Sequence, residues 1–199
     1  MTPRAISSKK FTITSMNPSS HNKESIRRAM LAKRAAIGQA RRDIAHRTGF
    51  EAVIRALPQE GDVLSYASFQ SEFDTTKINE FLASQGRLVL PKIEGHELTL
   101  YRVENFPNSL IKNSLGILEP DPIHSTKISP TAITCALIPA IAFNEDGHRI
   151  GYGKGYYDRL LPKLNNALKI GIGYKEQLIN NPSIFDNNSD TKTDNLIFG

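Results

Sequence analysis

"CALIPAIAFNEDGHRIGYGKGYYDRLL", residues 135–161, decides how this chain is read. Its apolar first third reads as a buried strand. A polar turn follows, then three glycines at alternate positions (Gly151, Gly153 and Gly155), then a short helix over "YYDRLLPKL". A strand that feeds a loop and then a helix is the repeating unit of α/β folds. The same alternation continues outward. Upstream, "DVLSYAS" (62–68) reads as a strand, "TKINEFLAS" (76–84) as a helix, and "RLVLP" (87–91) and "ELTLYRV" (97–103) as strands. Downstream, "LKIGIGY" (168–174) and "DNLIF" (194–198) read as strands. The pattern predicts an α/β domain with a mostly parallel sheet. Two helices precede it. The first starts at a capping Asn22 and carries an apolar stripe at Ile26, Met30 and Ile37; the second covers 40–57 and stops at Pro58. Residues 104–130, rich in Pro, Asn and Ser, read as irregular.

At 199 residues the chain is long enough for one domain with its own core. Residues 22–199 are expected to form that domain. Residues 1–21 are Ser/Thr-rich, lack periodicity and read as a disordered tail. The tail has no apolar core for a secretory signal, and its lack of acids resembles an organellar transit peptide. No apolar run reaches the length of a membrane span. The single cysteine, Cys135, excludes a disulfide framework or a cysteine zinc site within one chain and reads as a core residue. His21, His46, His96, His124 and His148 do not fall at metal-ligand spacings.

The net charge of +5 is uneven: +3 over residues 1–20, +6 over 21–55 and −4 over the remainder. A general nucleic-acid binder spreads its basic face and interleaves aromatics. Here the excess sits on the two N-terminal helices, as a solvated face or a local anion site. Lys23 and Arg27, four apart, share one face of the first helix.

Glycines let a backbone approach an anion closely and adopt positive φ, and a helix N-terminus presents unpaired N–H groups. The loop nevertheless matches neither common phosphate motif. Lys154 is followed by Gly155 where a P-loop needs Ser or Thr, and Tyr156 stands where a dinucleotide fingerprint needs glycine. With Arg149 and Lys154 beside it, a phosphate cradle is a better reading than a merely flexible loop. Asp158, in the first helical turn, either complements the helix dipole or holds Mg²⁺. Tyr156, Leu160 and Leu164 form a predicted core stripe, with Tyr157 off it, free to flank a ligand or to pack.

The run "RIGYGKGYYD" (149–158) after "PAIAFNEDGH" resembles the 5-formyltetrahydrofolate cyclo-ligase family. Three collinear pieces agree: "KESIRRAMLAKR", with its Lys-x-x-x-Arg; "FQSEFDT"; and "GYKEQL" followed by "DTKTD". The resemblance implies a compact three-layer α/β fold. It also implies that ATP and Mg²⁺ are used to convert 5-formyltetrahydrofolate to 5,10-methenyltetrahydrofolate, with ADP and phosphate released. By the same resemblance, Lys23, Arg27, Arg149, Ile150, Gly151, Tyr152, Gly153, Lys154, Gly155, Tyr156 and Tyr157 meet ATP. Glu72 holds the pterin, with Tyr152, Gly153, Lys154, Gly155 and Tyr156 bordering the folate. Asp158 and Asp190 are the metal carboxylates, and Lys154 and Arg149 act on the transferred phosphoryl group. A cytoplasmic monomer is expected, with no nucleic-acid or membrane partner.

The chemistry suits these residue types. An amide oxygen is a poor leaving group, and phosphorylation makes it a good one. Phosphoryl transfer asks for in-line positioning and neutralised charge more than for a protein nucleophile. Two rivals remain at this level: a sugar-phosphate α/β enzyme with the same glycine loop, which needs no ATP, and a non-catalytic RNA binder acting through the basic helices.

Overall fold

The computed structural model describes residues 18–179 and 191–199. Four α-helices are present among them: α1 (Pro18–Ala35), α2 (Gln39–Ala56), α3 (Thr76–Ser84) and α4 (Tyr156–Leu160). The strands are β1 (Asp62–Leu64), β2 (Leu88–Glu94), β3 (Glu97–Arg102), β4 (Leu110–Lys112), β5 (Leu118–Pro120), β6 (Thr126–Ile128), β7 (Ile133–Ile138), β8 (Ala142–Phe143), β9 (Arg149–Ile150), β10 (Leu168–Gly173) and β11 (Asn195–Phe198).

The main sheet has seven strands in the order β11-β10-β7-β1-β2-β3-β6. The five from β11 to β2 run parallel, and β3 and β6 are added antiparallel at one edge. A strand buried on both faces reads as a continuous apolar run, which is why "ITCALI" carries no alternation. Within it the side chains still divide by face. Cys135 and Leu137 join Val63, Leu88, Leu90, Ile170 and Ile172 under α2 and α3, against Ala45, Val53, Ile78 and Leu82. Ala136 and Ile138 join Leu64, Val89 and Leu100 under the segment of α4, against Leu160, Leu161, Leu164 and Ala167. The result is three layers around two apolar seams. Cys135 is fully buried, and burial pushes its thiol up to about 12, so it stays an inert core group.

α1 stands apart from these seams. Met30, flanked by Ile26 and Leu31, packs on Ile141, Ala142 and Ile150 of the small β8–β9 hairpin. Ile26 and Met30 of the predicted stripe therefore dock the helix beside the glycine loop, whereas Ile37 lies past the helix end and packs on the core under α2 and α3. The helix begins at Pro18, so Asn22 lies inside it rather than at its cap and residues 18–21 belong to it. Proline has the fixed φ and missing N–H that suit a first helical turn. Residues 1–17 lie outside the described residues.

Two further details differ from the sequence reading. The stretch 135–143 is not one strand: Pro139 has no N–H for a ladder, so β7 stops and β8 starts a new pairing with β9. The 104–130 segment is not irregular throughout. It holds the β4–β5 hairpin and edge strand β6, each only three residues per strand and too short to show a period.

Strand order reverses between β1 and β7. Chain from β1 crosses through α3 to β2 on one side, while β7 pairs on the other. Ligands in open α/β sheets bind beyond the strand C-termini at such a switch point. The loops after Leu64, Ile138 and Gly173 converge there.

Gly171 in β10 has no room for a side chain. A Cβ would lie 2.6 Å from the Phe143 ring and 2.7 Å from a Leu196 methyl. Gly171→Ala is expected to lower stability by about 1–3 kcal/mol through overpacking, read as a lower urea midpoint with an unchanged slope.

Candidate active site

The glycine loop leaves β9 and turns back over the C-terminal ends of the central strands. Gly153 and Gly155 sit at φ 90° and 70°, where only glycine is unstrained. At Gly155 a Cβ would also lie 2.6 Å from Arg159 Nη1. Arg159 braces the loop from outside: Nη2 donates to the Lys154 carbonyl at 3.0 Å, Nε to the His96 carbonyl at 2.8 Å, and the guanidinium stacks 5.4 Å from the Tyr156 ring centre. Lys154 itself is exposed.

α1 braces the loop from inside. Arg27 Nε donates to the Gly151 carbonyl at 2.9 Å, and its guanidinium lies against Gly153. Lys23, half-buried, is one turn earlier on the same face. The expected meeting of this helix with the loop is therefore present. The following helix contributes less than expected. α4 has five residues before Pro162 turns the chain into a 3₁₀ turn at Leu161–Lys163, so few peptide dipoles add up. The positive character of the loop comes from Arg27, Lys154 and their neighbours.

The predicted residues divide after that. Ile150 is core, packed with Met30 and Ile141. Tyr157, not Tyr156, joins Leu160 and Leu164 in the apolar seam. The stripe is shifted by one because Tyr156 stacks on Arg159 instead. Arg149 is buried, donates from Nη1 to the Thr191 carbonyl at 2.9 Å, and pairs through Nη2 with Asp158 Oδ1. The Asp158 side chain is 55% exposed. Asp190 lies outside the described residues. Among the described residues no three His, Cys, Asp or Glu side chains cluster as a metal site.

The second half of the site is a pocket around Glu72. Its Oε2 accepts from the Phe69 N–H at 2.9 Å, and the Tyr152 hydroxyl, nearby, favours its ionised form. Burial raises the Glu72 carboxyl above its usual range, against the opposing pull of the Phe69 bond, the Tyr152 hydroxyl and the Arg34 charge. Tyr66, Tyr152 and Tyr157 all feel the Glu72 charge, and burial followed by that charge raises each phenol. A partly buried carboxylate whose charge reaches three phenols is a site for a flat ligand with N–H donors.

Two arginines hold this pocket together that the sequence reading did not single out. Arg34 is 1% exposed. It donates to Ser71 Oγ (3.0 Å), the Ala140 carbonyl (3.2 Å) and the Tyr152 hydroxyl (2.6 Å). Arg42 donates to the Arg34 and Ile37 carbonyls and to the Tyr174 hydroxyl, tying the end of α1 to the loop before Glu72. Arg34 had a readable signal: it follows Arg27 by seven residues, two turns along one face. Arg42 had none, because its acceptors are carbonyls at a helix end.

The chain matches the family model of the 5-formyltetrahydrofolate cyclo-ligases over residues 19–198. It is 37% identical over 121 residues to a protein of Schizosaccharomyces pombe named probable 5-formyltetrahydrofolate cyclo-ligase, a match covering 54% of this chain and 59% of that one. The stretch shared with the Mycoplasma genitalium 5-formyltetrahydrofolate cyclo-ligase is 51% identical over 55 residues, 27% of this chain and 33% of the relative. The chain thus spans about three fifths, or less, of these curated relatives. The structural likeness is broader. The NMR structure of Aquifex aeolicus 5,10-methenyltetrahydrofolate synthetase aligns with TM-score 0.76 and 30% identity, covering 88% of this chain and 89% of that one. The Mycoplasma pneumoniae 5,10-methenyltetrahydrofolate synthetase aligns with TM-score 0.71 and 27% identity, covering 88% and 98%.

Glu72 yields a stability prediction. A carboxyl whose folded pKa is raised costs nothing below its unfolded pKa and destabilises once pH rises through the folded one. Glu72→Gln is therefore expected to be more stable than the parent chain at pH 7. The gain should vanish below about pH 4, where the carboxyl is protonated in both states. Urea unfolding at the two pH values reads it.

Proposed function

Because this chain belongs to the 5-formyltetrahydrofolate cyclo-ligase family, we propose that it converts 5-formyltetrahydrofolate to 5,10-methenyltetrahydrofolate, with ATP hydrolysed to ADP and phosphate. The observation that supports it best is the placement of Tyr152 and Gly151, neighbours in one loop. The Gly151 carbonyl accepts from Arg27 on the cationic side, and the Tyr152 hydroxyl accepts from Arg34 on the Glu72 side. Lys154 extends from the same loop, exposed. A phosphoryl donor and a folate bound on either side would meet at that loop.

In this reading Glu72 accepts the pterin N–H donors, and Tyr152 and Tyr156 border its ring. Lys23, Arg27 and the loop from Gly151 to Tyr156 contact the triphosphate. The formyl oxygen attacks the γ-phosphorus as the bond to ADP breaks, and Lys154 stabilises the charge moving across the equatorial oxygens. The folate N10 then attacks the activated carbon and loses its proton, and the carbon–oxygen bond breaks to release phosphate. Buried Arg149 acts by holding Asp158 and the end of the loop. Mg²⁺ would be held by Asp158 and Asp190. The half-exposed Asp158 carboxylate, bonded to Arg149 through one oxygen, is a donor of the kind Mg²⁺ uses alongside phosphate oxygens. When bound, the ion would neutralise triphosphate charge.

The basic N-terminal helices fit this reading better than RNA binding. Arg34, Arg41 and Arg42 all direct hydrogen bonds into the protein. They hold loops rather than display a phosphate-binding face, and the cations left for an anion are the few beside the glycine loop. We read the enzyme as a cytoplasmic monomer. Among the described residues no helix is long and apolar enough to cross a membrane.

The test is an assay with 5-formyltetrahydrofolate, ATP and Mg²⁺, following the near-ultraviolet absorbance of the methenyl product against ADP. One ADP per product is expected; turnover without ATP, or release of AMP, contradicts the proposal. Lys154→Ala is expected to lower kcat by about 10²–10³-fold while melting temperature stays put, since the side chain is exposed and has no bonding partner among the described residues. Near-normal kcat would make it a solvated loop charge.

A further inference from the structure

Arg34 is the largest fully buried side chain among the described residues. Arginine is almost never fully buried unless paired, yet among the described residues no carboxylate lies within ion-pair distance of this one. Its direct partners are neutral: a serine hydroxyl, a backbone carbonyl and a phenol. Desolvating a cation against neutral partners costs several kcal/mol, and packing alone does not explain keeping it. A methionine or leucine would fill the space without that penalty.

Its three bonds reach three different loops. Ser71 lies in the loop after β1, next to Glu72. Ala140 lies in the link between β7 and β8. Tyr152 lies in the glycine loop. The Tyr152 hydroxyl, which accepts from Arg34 at 2.6 Å, in turn lies near enough to the Glu72 carboxylate to favour its ionised form, and Ser71, the other side-chain partner of Arg34, is the neighbour of Glu72 in the chain. The groups form a relay: guanidinium, phenol, carboxylate.

We propose that Arg34 is a positioning residue of the pterin subsite, acting through Tyr152 to orient the Glu72 carboxylate and to hold the glycine loop in register with it. The assignment of that pocket to pterin rests on the function proposed above; the relay itself does not. The guanidinium is the cation that acts on the Glu72 carboxyl among the described residues. The other groups facing Glu72 are the phenols of Tyr66, Tyr152 and Tyr157, from the loop after β1, the glycine loop and α4. The effect of Arg34 on that carboxyl is to favour the ionised form. Arg27 and Arg34, seven residues apart, thus divide the loop between them: one bonds its phosphate side, the other its pterin side.

The experiment compares Arg34→Gln, Arg34→Lys and Tyr152→Phe by two readouts. The first is the titration of the Glu72 side-chain carboxyl followed by NMR in the unliganded protein. Arg34→Gln removes the charge and Tyr152→Phe removes the hydroxyl that favours the ionised carboxylate, so each should move the midpoint to higher pH. Arg34→Lys keeps the charge and should leave it closer to the parent value. The second readout is steady-state kinetics. Arg34→Gln and Tyr152→Phe should each raise KM for 5-formyltetrahydrofolate about ten-fold, as loss of one charge-assisted bond implies. KM for ATP should change little, and the double variant should be no worse than Arg34→Gln alone. An unmoved Glu72 midpoint in both Arg34→Gln and Tyr152→Phe overturns the proposal, as does strict additivity in the double variant. Should Arg34→Gln fail to fold, Tyr152→Phe still decides the relay, because Tyr152 is 44% exposed and tolerates the change. If the parent chain turns over no folate while the midpoints shift as stated, the relay stands and the pterin assignment falls.

Discussion

One helix face holds the two halves of this site in register. Arg27 and Arg34 project from α1 seven residues apart. Between them Met30 packs on Ile141, Ala142 and Ile150 at the base of the glycine loop. The apolar contact fixes where the helix lies. The two guanidiniums then bond atoms of consecutive residues, the Gly151 carbonyl and the Tyr152 hydroxyl. A glycine loop with positive φ at two positions has little conformational preference of its own. Its shape here comes from donors outside it: α1 on one side and Arg159 on the other.

The electrostatics divide along the same line. On the outer side stand Lys154 and the half-buried Arg27 and Lys23, close to water and suited to a polyphosphate. On the inner side Glu72 sits under three phenols, its carboxyl raised by burial and moderated by a cation at one remove. A buried charge with imperfect compensation destabilises the folded state. Such costs concentrate at functional sites, where the missing partner is a ligand. The rest of the domain bears this cost with a sheet buried on both faces and five strands paired in parallel.

The Arg149–Asp158 pair shows how closely scaffold and chemistry are shared. Arg149 is too buried to be left unpaired, and Asp158 opens the short α4 helix. The pair closes the glycine loop onto the residues before β11 through Thr191. A carboxylate in this position has one oxygen committed to the fold and stands half-exposed beside the loop. Its structural and proposed metal-holding roles are therefore compatible.

Much of this was legible in the residues alone. The alternation of strands and helices, the absence of period in "ITCALI", the stripe at Ile26 and Met30, and the spacing of Gly151, Gly153 and Gly155 are local patterns. Local backbone physics imposes them, so they announced an α/β domain with a mostly parallel sheet and a glycine loop; that the first helix meets this loop was implied only by the family resemblance. What the sequence did not contain was which long side chain meets which carbonyl. Arg34, Arg42 and Arg149 look alike as letters in basic stretches. Their roles depend on loops up to 132 residues away in the chain being brought together where strand order reverses between β1 and β7. Likewise Tyr156 and Tyr157 exchanged places because Arg159, anchored to the His96 carbonyl of the β2–β3 turn, captured the first ring. Period and composition determine elements and faces, because they act over a few residues. Partners of buried charges are decided by tertiary structure, because desolvation makes each guanidinium bond whatever acceptor the folded topology puts within reach.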